Sequence, residues 1–325
     1  LAVTTYSALT NEQRSFYVAR LIKRLLPFIP LQKDGEKTTV GRNTGTGVQW
    51  RKWGALALAT SALTEGTPPT EMSLTITAVT ATLAQYGAFV KISDLLIVAG
   101  IDPAMEQVND LESEQAGRSV HTLIVNALAS GTTVQYASTA TTRGTVAAGM
   151  NFFMIEVRKA VRTLKKNNVM RFPDGYYHGT LTPSQWYDLR ADSSAATGMT
   201  WAQANTYVNT ENFQKGMLGA VEGVTFYETS TDNPVFVGAG QGPIDVHAAF
   251  IYGPGGYGTV DLTTQTVADI DPTTNRGIDV MVVPANTPSK IDPLQQYGIS
   301  GWKVAYVVQV LDALRMLRVE TAVSG

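Results

Sequence analysis

The three histidines, His121, His178 and His247, are the side chains of this 325-residue sequence best suited to proton transfer or metal ligation at neutral pH. A metal site needs at least two such ligands at compatible spacing, and none of the three has a second histidine three or four residues away. They fall on a predicted helix and two separate predicted strands, which favours histidines satisfied by structural partners. Glu112 and Glu114 are two residues apart and so point apart on a helix, which argues against a paired-carboxylate acid–base site. No Gly-x-Ser-x-Gly elbow, no Gly-Lys-Ser/Thr phosphate loop and no cysteine occurs. Gly253-Pro254-Gly255-Gly256-Tyr257-Gly258 has the glycine spacing of a dinucleotide fingerprint, but Thr259-Val260-Asp261-Leu262 then continues as a strand where the fingerprint needs a helix. A β-hairpin turn is expected there. The sequence thus predicts no catalytic residues, no cofactor and no metal.

Composition points the same way. The chain is 44% hydrophobic but only 16% charged, below the roughly 25% usual for soluble domains, which suggests surface covered by something other than water. A net charge of -2 argues against a dedicated nucleic-acid binder. The distribution of charge is uneven. Residues 1–60 carry nine Lys/Arg against three acids, and residues 61–135 carry eight acids against two bases. Adjacent segments of opposite sign suggest an arm lying on a complementary surface, in its own chain or a neighbour. No run of about 18 apolar residues predicts a membrane span, and the first residues lack a signal-peptide layout, so a soluble, non-exported protein is expected.

Helix signals open the chain: Thr10 as cap with Gln13 three residues on, and helical spacing from Phe16 to Leu25 before Pro27. Residues 30–47 lack any periodicity able to form a core. A short strand pattern at Val48–Trp53 precedes a longer one from Met72 to Ile92, whose alternation reverses phase near Val79, predicting a bulge or a crossing between two apolar environments. Two Thr-rich strands of that length, apolar on both sides, need a partner. The strongest helix spans Asp102 to Ser130, with Met105, Val108, Leu111, Gln115, Val120, Leu123, Ala127 and Leu128 on one stripe. Further helices are expected at Asn151–Lys166 and after Thr182-Pro183-Ser184-Gln185. Strands are expected at Tyr176–Leu181, Val224–Thr229, Pro234–Gly238, Val246–Tyr252 paired with Thr259–Leu262, and in the closing run Val304–Val319. The fold class is α+β.

This order of parts is similar to the Hong Kong 97 type phage capsid fold. Thr4-Thr5-Tyr6 with Leu9–Arg14, Leu63-Thr64-Glu65-Gly66, Ala84-Gln85-Tyr86-Gly87 with Ile92-Ser93-Asp94, and Glu114-Gln115-Ala116-Gly117 resemble the major capsid family typified by coliphage N-four. Lys215–Gly219 followed by Gly223–Thr229, and Gly301-Trp302-Lys303, resemble later segments of such proteins. The resemblance implies an N-terminal arm (1–45), an extended two-stranded loop and its base (46–92), a peripheral domain with a spine helix (93–148, helix 102–130), an axial domain (149–300) and C-terminal strands returning to the peripheral domain (301–325).

It also implies a function: a major head protein of a tailed double-stranded DNA phage, forming hexamers and pentamers of an icosahedral virion shell assembled in the host cytoplasm. Its expected partners are itself and scaffolding, portal and decoration proteins. DNA is enclosed without sequence-specific binding, and no membrane is involved. The alternatives are another shell-forming or virion protein, such as an encapsulin-like or tail protein, and an enzyme. The charge asymmetry predicts that Arg14, Arg20, Lys23 and Arg24 meet Glu106, Asp110, Glu112 or Glu114 of a neighbour, with Arg51 and Glu65 of the loop as further inter-subunit contacts.

Overall fold

The computed structural model describes residues 31–40, 45–54, 56–60, 62–63, 65–66, 68, 71–99, 104–192, 217–229, 233–262, 278–283 and 296–324. The helix expected at residues 10–26 lies outside them. A 3-10 turn at Leu31–Lys33 leads into β1 (Glu36–Val40), followed by β2 (Gly47–Trp53), β3 (Ile76–Thr82) and β4 (Ala84–Ser93). Two helices follow, α1 (Asp94–Ala99) and the long α2 (Ala104–Ala129), then β5 (Val134–Tyr136), α3 (Met154–Lys166), β6 (Tyr177–Leu181) and α4 (Pro183–Ala191). The rest is strand-rich: β7 (Met217–Val221), β8 (Val224–Glu228), β9 (Val235–Phe236), β10 (Val246–Tyr252), β11 (Tyr257–Leu262), β12 (Ile278–Val283), β13 (Tyr297–Val310) and β14 (Met316–Thr321).

These strands form three sheets. The largest has the order β5-β14-β10-β6-β8-β7, with β9 beside β10. β10 lies at its centre and is apolar throughout apart from His247, because both of its faces are covered. Ala248, Phe250 and Tyr252 face the cluster built on α2 (Ala116, Val120, Ile124, Val125, Leu128), while Ala249 and Ile251 face the cluster built on α3 (Val157, Ala160, Val161, Leu164). The sheet is therefore sandwiched between helices. β14 repeats the division, Met316 towards α2 and Leu317 and Val319 towards α3.

The five-stranded sheet is organised by β13, paired antiparallel with β4 from Tyr297 to Tyr306 and on its other edge with β12 and β11. The third sheet is the two-stranded hairpin β2–β3, in register from Gly47↔Thr82 to Trp53↔Ile76. The phase reversal in the sequence falls inside β3, and the ladder runs through it without a bulge. Val79 and Ala81 are the partly buried positions of that strand, on the face that packs at Val48 and Trp50, whereas Ile76 lies on the opposite face and is exposed. Beyond Thr82 the chain leaves the hairpin, and from Ala84 it pairs with β13.

Local signals explain several termini. Thr182 and Gln185 form the expected capping box of α4, the Gln185 amide donating to Thr182 Oγ1 at 3.3 Å and the Thr182 amide to Gln185 Oε1 at 3.2 Å. The N-terminus of α3 is served from a distance, by the Met154 amide donating to Asp192 Oδ2 at 3.0 Å. At the other end of α2, the Arg318 guanidinium donates to the carbonyl of Ala129, a cation placed where the helix dipole is negative.

Two expectations need correction. β10 and β11 do not pair with each other: β10 lies between β14 and β6, and β11 between β1 and β13. The glycine-rich turn, with Gly255 at φ +73, carries the chain from one sheet to the other. Gly258 has to be small, because a Cβ there would sit 2.9 Å from Trp50. The buried face of α2 is also rotated from the predicted stripe. It runs through Asn109, Glu112, Ser113, Ala116, Val120, Ile124 and Leu128, and Leu111 is 63% exposed. The predicted stripe followed apolar side chains, whereas the packing of β13 against this helix selects small and polar ones.

Candidate functional site

Among the described residues no three His, Cys, Asp or Glu side chains are placed to hold a metal, and no helix is long and apolar enough to cross a membrane. What stands out is a surface. The hairpin carries Trp53, Leu56, Met72, Leu74 and Ile76 half exposed or more, Leu58 at 87% and Leu63 at 76%, with Phe89 on the adjoining strand at 65%. Soluble proteins scatter such residues singly, and their concentration in one stretch of chain suits an interaction surface.

The root of this projection is firmly held. Val48 and Trp50 are buried against Leu83, Val307 and Leu311, and Lys52 Nζ lies 2.6 Å from Asp312 Oδ2. Gly54 N donates to Thr75 O at 2.9 Å, where the ladder ends. Seven residues of strand extend about 23 Å at 3.3 Å each. The described residues between Gly54 and Thr75 form no further strand. An anchored root with an apolar, exposed tip is suited to lying on another molecule.

The proposed charged contacts are distributed unevenly. Arg14, Arg20, Lys23 and Arg24 lie outside the described residues. Arg51 is exposed on β2, and Glu65 is exposed in the turn with Gly66 at the loop. Glu106, Asp110 and Glu114 recur every four residues along one line of α2, each partly exposed. Glu112 points the other way. It is buried, and Ser300 Oγ donates to its Oε2 at 2.6 Å. Burial pushes its carboxyl pKa up, against the Ser300 hydrogen bond, which acts to lower it. Structure thus turns Glu112 into its own chain, because β13 crosses α2 on that side.

Each histidine has its own structural setting. His121 is buried on α2. His247 Nδ1 is 3.2 Å from Thr182 Oγ1, at the capping box of α4, and burial lowers its pKa. His178 is bracketed by two carboxylates: Nδ1 lies 2.8 Å from Asp34 Oδ2, and Nε2 lies 2.7 Å from Asp174 Oδ2. Sequence spacing did not reveal this cluster. Its only local trace was Asp174 in a Pro-Asp-Gly turn four residues before His178; Asp34 is brought in from 144 residues away.

No known protein family and no curated protein matches the chain in sequence. Solved structures do match in shape. The capsid of Ralstonia phage GP4 aligns with a TM-score of 0.69 at 13% identity, covering 100% of this chain and 94% of that one. The cyanophage Pam1 capsid aligns with a TM-score of 0.67 at 16% identity, covering 100% and 98%. A virus-like particle from Pyrococcus furiosus aligns at 0.50 with 8% identity, covering 95% and 99%. The fold is that of phage capsid shell proteins of the Hong Kong 97 type, present over the whole chain.

Proposed function

We propose that the chain is the major capsid protein of a tailed double-stranded DNA bacteriophage, which builds a closed shell from copies of itself and carries no catalytic site. The observation that carries this reading is the hairpin: an apolar projection with a fixed root, uncovered in the single chain, on a fold shared end to end with phage capsids. Covering its exposed side chains is worth on the order of 10 kcal/mol per loop at 1.5–3 kcal/mol per large side chain. That is comparable to the 4–15 kcal/mol lost on association. One contact alone barely breaks even, and closure of the shell makes the sum favourable.

In this reading residues 1–45 form an arm, 46–92 the extended loop, 93–148 a peripheral domain, 149–300 an axial domain and 301–325 the returning strands. Arg14, Arg20, Lys23 and Arg24 meet the line Glu106, Asp110 and Glu114 of a neighbour, with Arg51 and Glu65 touching adjacent copies. Glu112 is left out of that set, being engaged with Ser300. The subunit forms hexamers and pentamers, is assembled in the host cytoplasm and resides in the virion. It encloses DNA without sequence-specific binding and meets portal, scaffolding and decoration proteins.

Negative-stain microscopy of the expressed full chain tests the reading. Closed shells support it; tubes, rings or a stable monomer at high concentration overturn it. The likeness to the Pyrococcus furiosus virus-like particle favours one second reading, a shell that is not a phage head. Nuclease-protected DNA in particles from infected cells separates the two.

A further inference from the structure

The cluster around His178 couples the start of the described chain to the centre of the largest sheet. Asp34 follows the 3-10 turn that precedes β1, His178 is on β6, and Asp174 is in the turn before β6. Asp34 and His178 are nearly fully buried, whereas Asp174 is 40% exposed. Phe172 stacks on the imidazole at 4.1 Å between ring centres, and Tyr227 from β8 meets it edge-on at 5.6 Å. From β10 the Tyr252 hydroxyl donates to Asp34 Oδ2 at 2.9 Å. The same segment is held at Leu31, whose side chain is buried and whose carbonyl accepts from the Tyr257 hydroxyl at 2.5 Å.

A neutral imidazole has one N–H. With a carboxylate oxygen against each ring nitrogen, only the doubly protonated ring satisfies both, and loss of one proton sets a lone pair against a carboxylate at hydrogen-bond distance. The two carboxylates approach opposite sides of the ring, so they cannot converge on a single metal ion. We propose that Asp34, His178 and Asp174 form a proton-dependent clasp, which holds the root of the amino-terminal segment on the central sheet while the imidazole is charged and loosens it on deprotonation.

The groups facing the ring from each packed element are Asp34, Asp174, Tyr227 and Tyr252. Burial and the two aspartates push the Tyr227 hydroxyl up to about 12, and burial holds Tyr252 well above its ordinary range, so neither titrates near neutrality. For His178, burial acts to lower the pKa, but the hydrogen bonds and charges of Asp34 and Asp174 outweigh it and raise it above 6.5. For Asp174, desolvation acts to raise the pKa, and the bonds from His178 and Tyr176 bring it below 3.8. The signs follow. The histidine contribution is fully present below pH 6.5 and is lost as pH rises through the folded value; the Asp174 contribution is present above pH 3.8 and is lost as pH falls through its own folded value. The clasp is therefore tightest between the two and opens on the alkaline side.

Hydrogen exchange of the β1 amides in the full chain, corrected for intrinsic rates and read from pH 5 to 9, tests this. The expected result is a loss of protection as pH passes the titration midpoint of the His178 ring followed by NMR. His178→Gln removes the step and leaves protection low throughout. Asp174→Asn, at a partly exposed turn where folding is not at risk, moves the step to lower pH. A step that persists in His178→Gln, or one whose midpoint is unmoved in Asp174→Asn, overturns the clasp. The readout lies within one chain, so a failure of the shell reading leaves this result intact.

Discussion

The central strand β10 and each strand of the hairpin β2–β3 are seven residues long and carry apolar side chains, yet they end in opposite situations. β10 is covered on both faces by helices of its own chain, whereas the hairpin is buried at Val48 and Trp50 and partly at Val79 and Ala81, and is otherwise exposed. The same kind of side chain stabilises the chain in one place and is left exposed in the other. Under the proposed capsid function, folding and assembly fall to separate parts of one sequence.

Substitutions at the two ends of this contrast should separate the two roles. The largest effect on the subunit is expected for Phe250→Ala, a fully buried ring on β10, at about 3–5 kcal/mol of unfolding free energy in denaturant titrations. A loss under 1 kcal/mol would mean that the double covering of β10 is not the source of stability. Thr182→Ala should cost about 1 kcal/mol by removing the capping box of α4, measured the same way.

Glu112→Gln is expected to be smaller and to depend on pH. A carboxyl whose folded pKa is raised binds its proton more tightly in the native state, so its effect on stability worsens as pH rises above its ordinary 4.5. The amide keeps an acceptor for Ser300 and carries no charge. The variant should match the parent below pH 4.5 and become the more stable of the two towards pH 7; a parent that gains relative to it would reverse the sign.

At the far end, Leu58→Asp with Leu74→Asp should change subunit unfolding by less than about 0.5 kcal/mol, as exposed positions do, while closed shells disappear from micrographs. Intact shells would mean that the hairpin tip is not a contact. Charge reversal of Arg14, Arg20, Lys23 and Arg24 sharpens the same point: a folded subunit that assembles poorly, with assembly by the parent weakening as salt is raised.

Periodicity and turn chemistry made much of the fold legible in advance. Pro183 after Thr182, with Gln185 at the third helical position, predicted α4 and its cap, and the Pro-Asp-Gly turn before β6 was equally plain. Strand partners were less accessible. The Gly253–Gly258 turn looked like a hairpin because two strands flank it, and local sequence says nothing about which sheet each strand joins.

On α2 the apolar residues pointed to the wrong face, because Glu112 is buried where β13 crosses the helix, an encounter between residues nearly two hundred positions apart. The acidic line Glu106, Asp110 and Glu114 kept its outward aspect, since four-residue spacing is a property of the helix itself.

By itself, then, the sequence determined what depends on neighbours along the chain: helices and caps, the coreless hairpin segment and the division of charge between its first two segments. Only the tertiary structure decided which strands share a sheet, which face of α2 is buried and that His178 is held between Asp34 and Asp174. Those outcomes depend on contacts between distant segments, whose geometry exists only once the chain has folded.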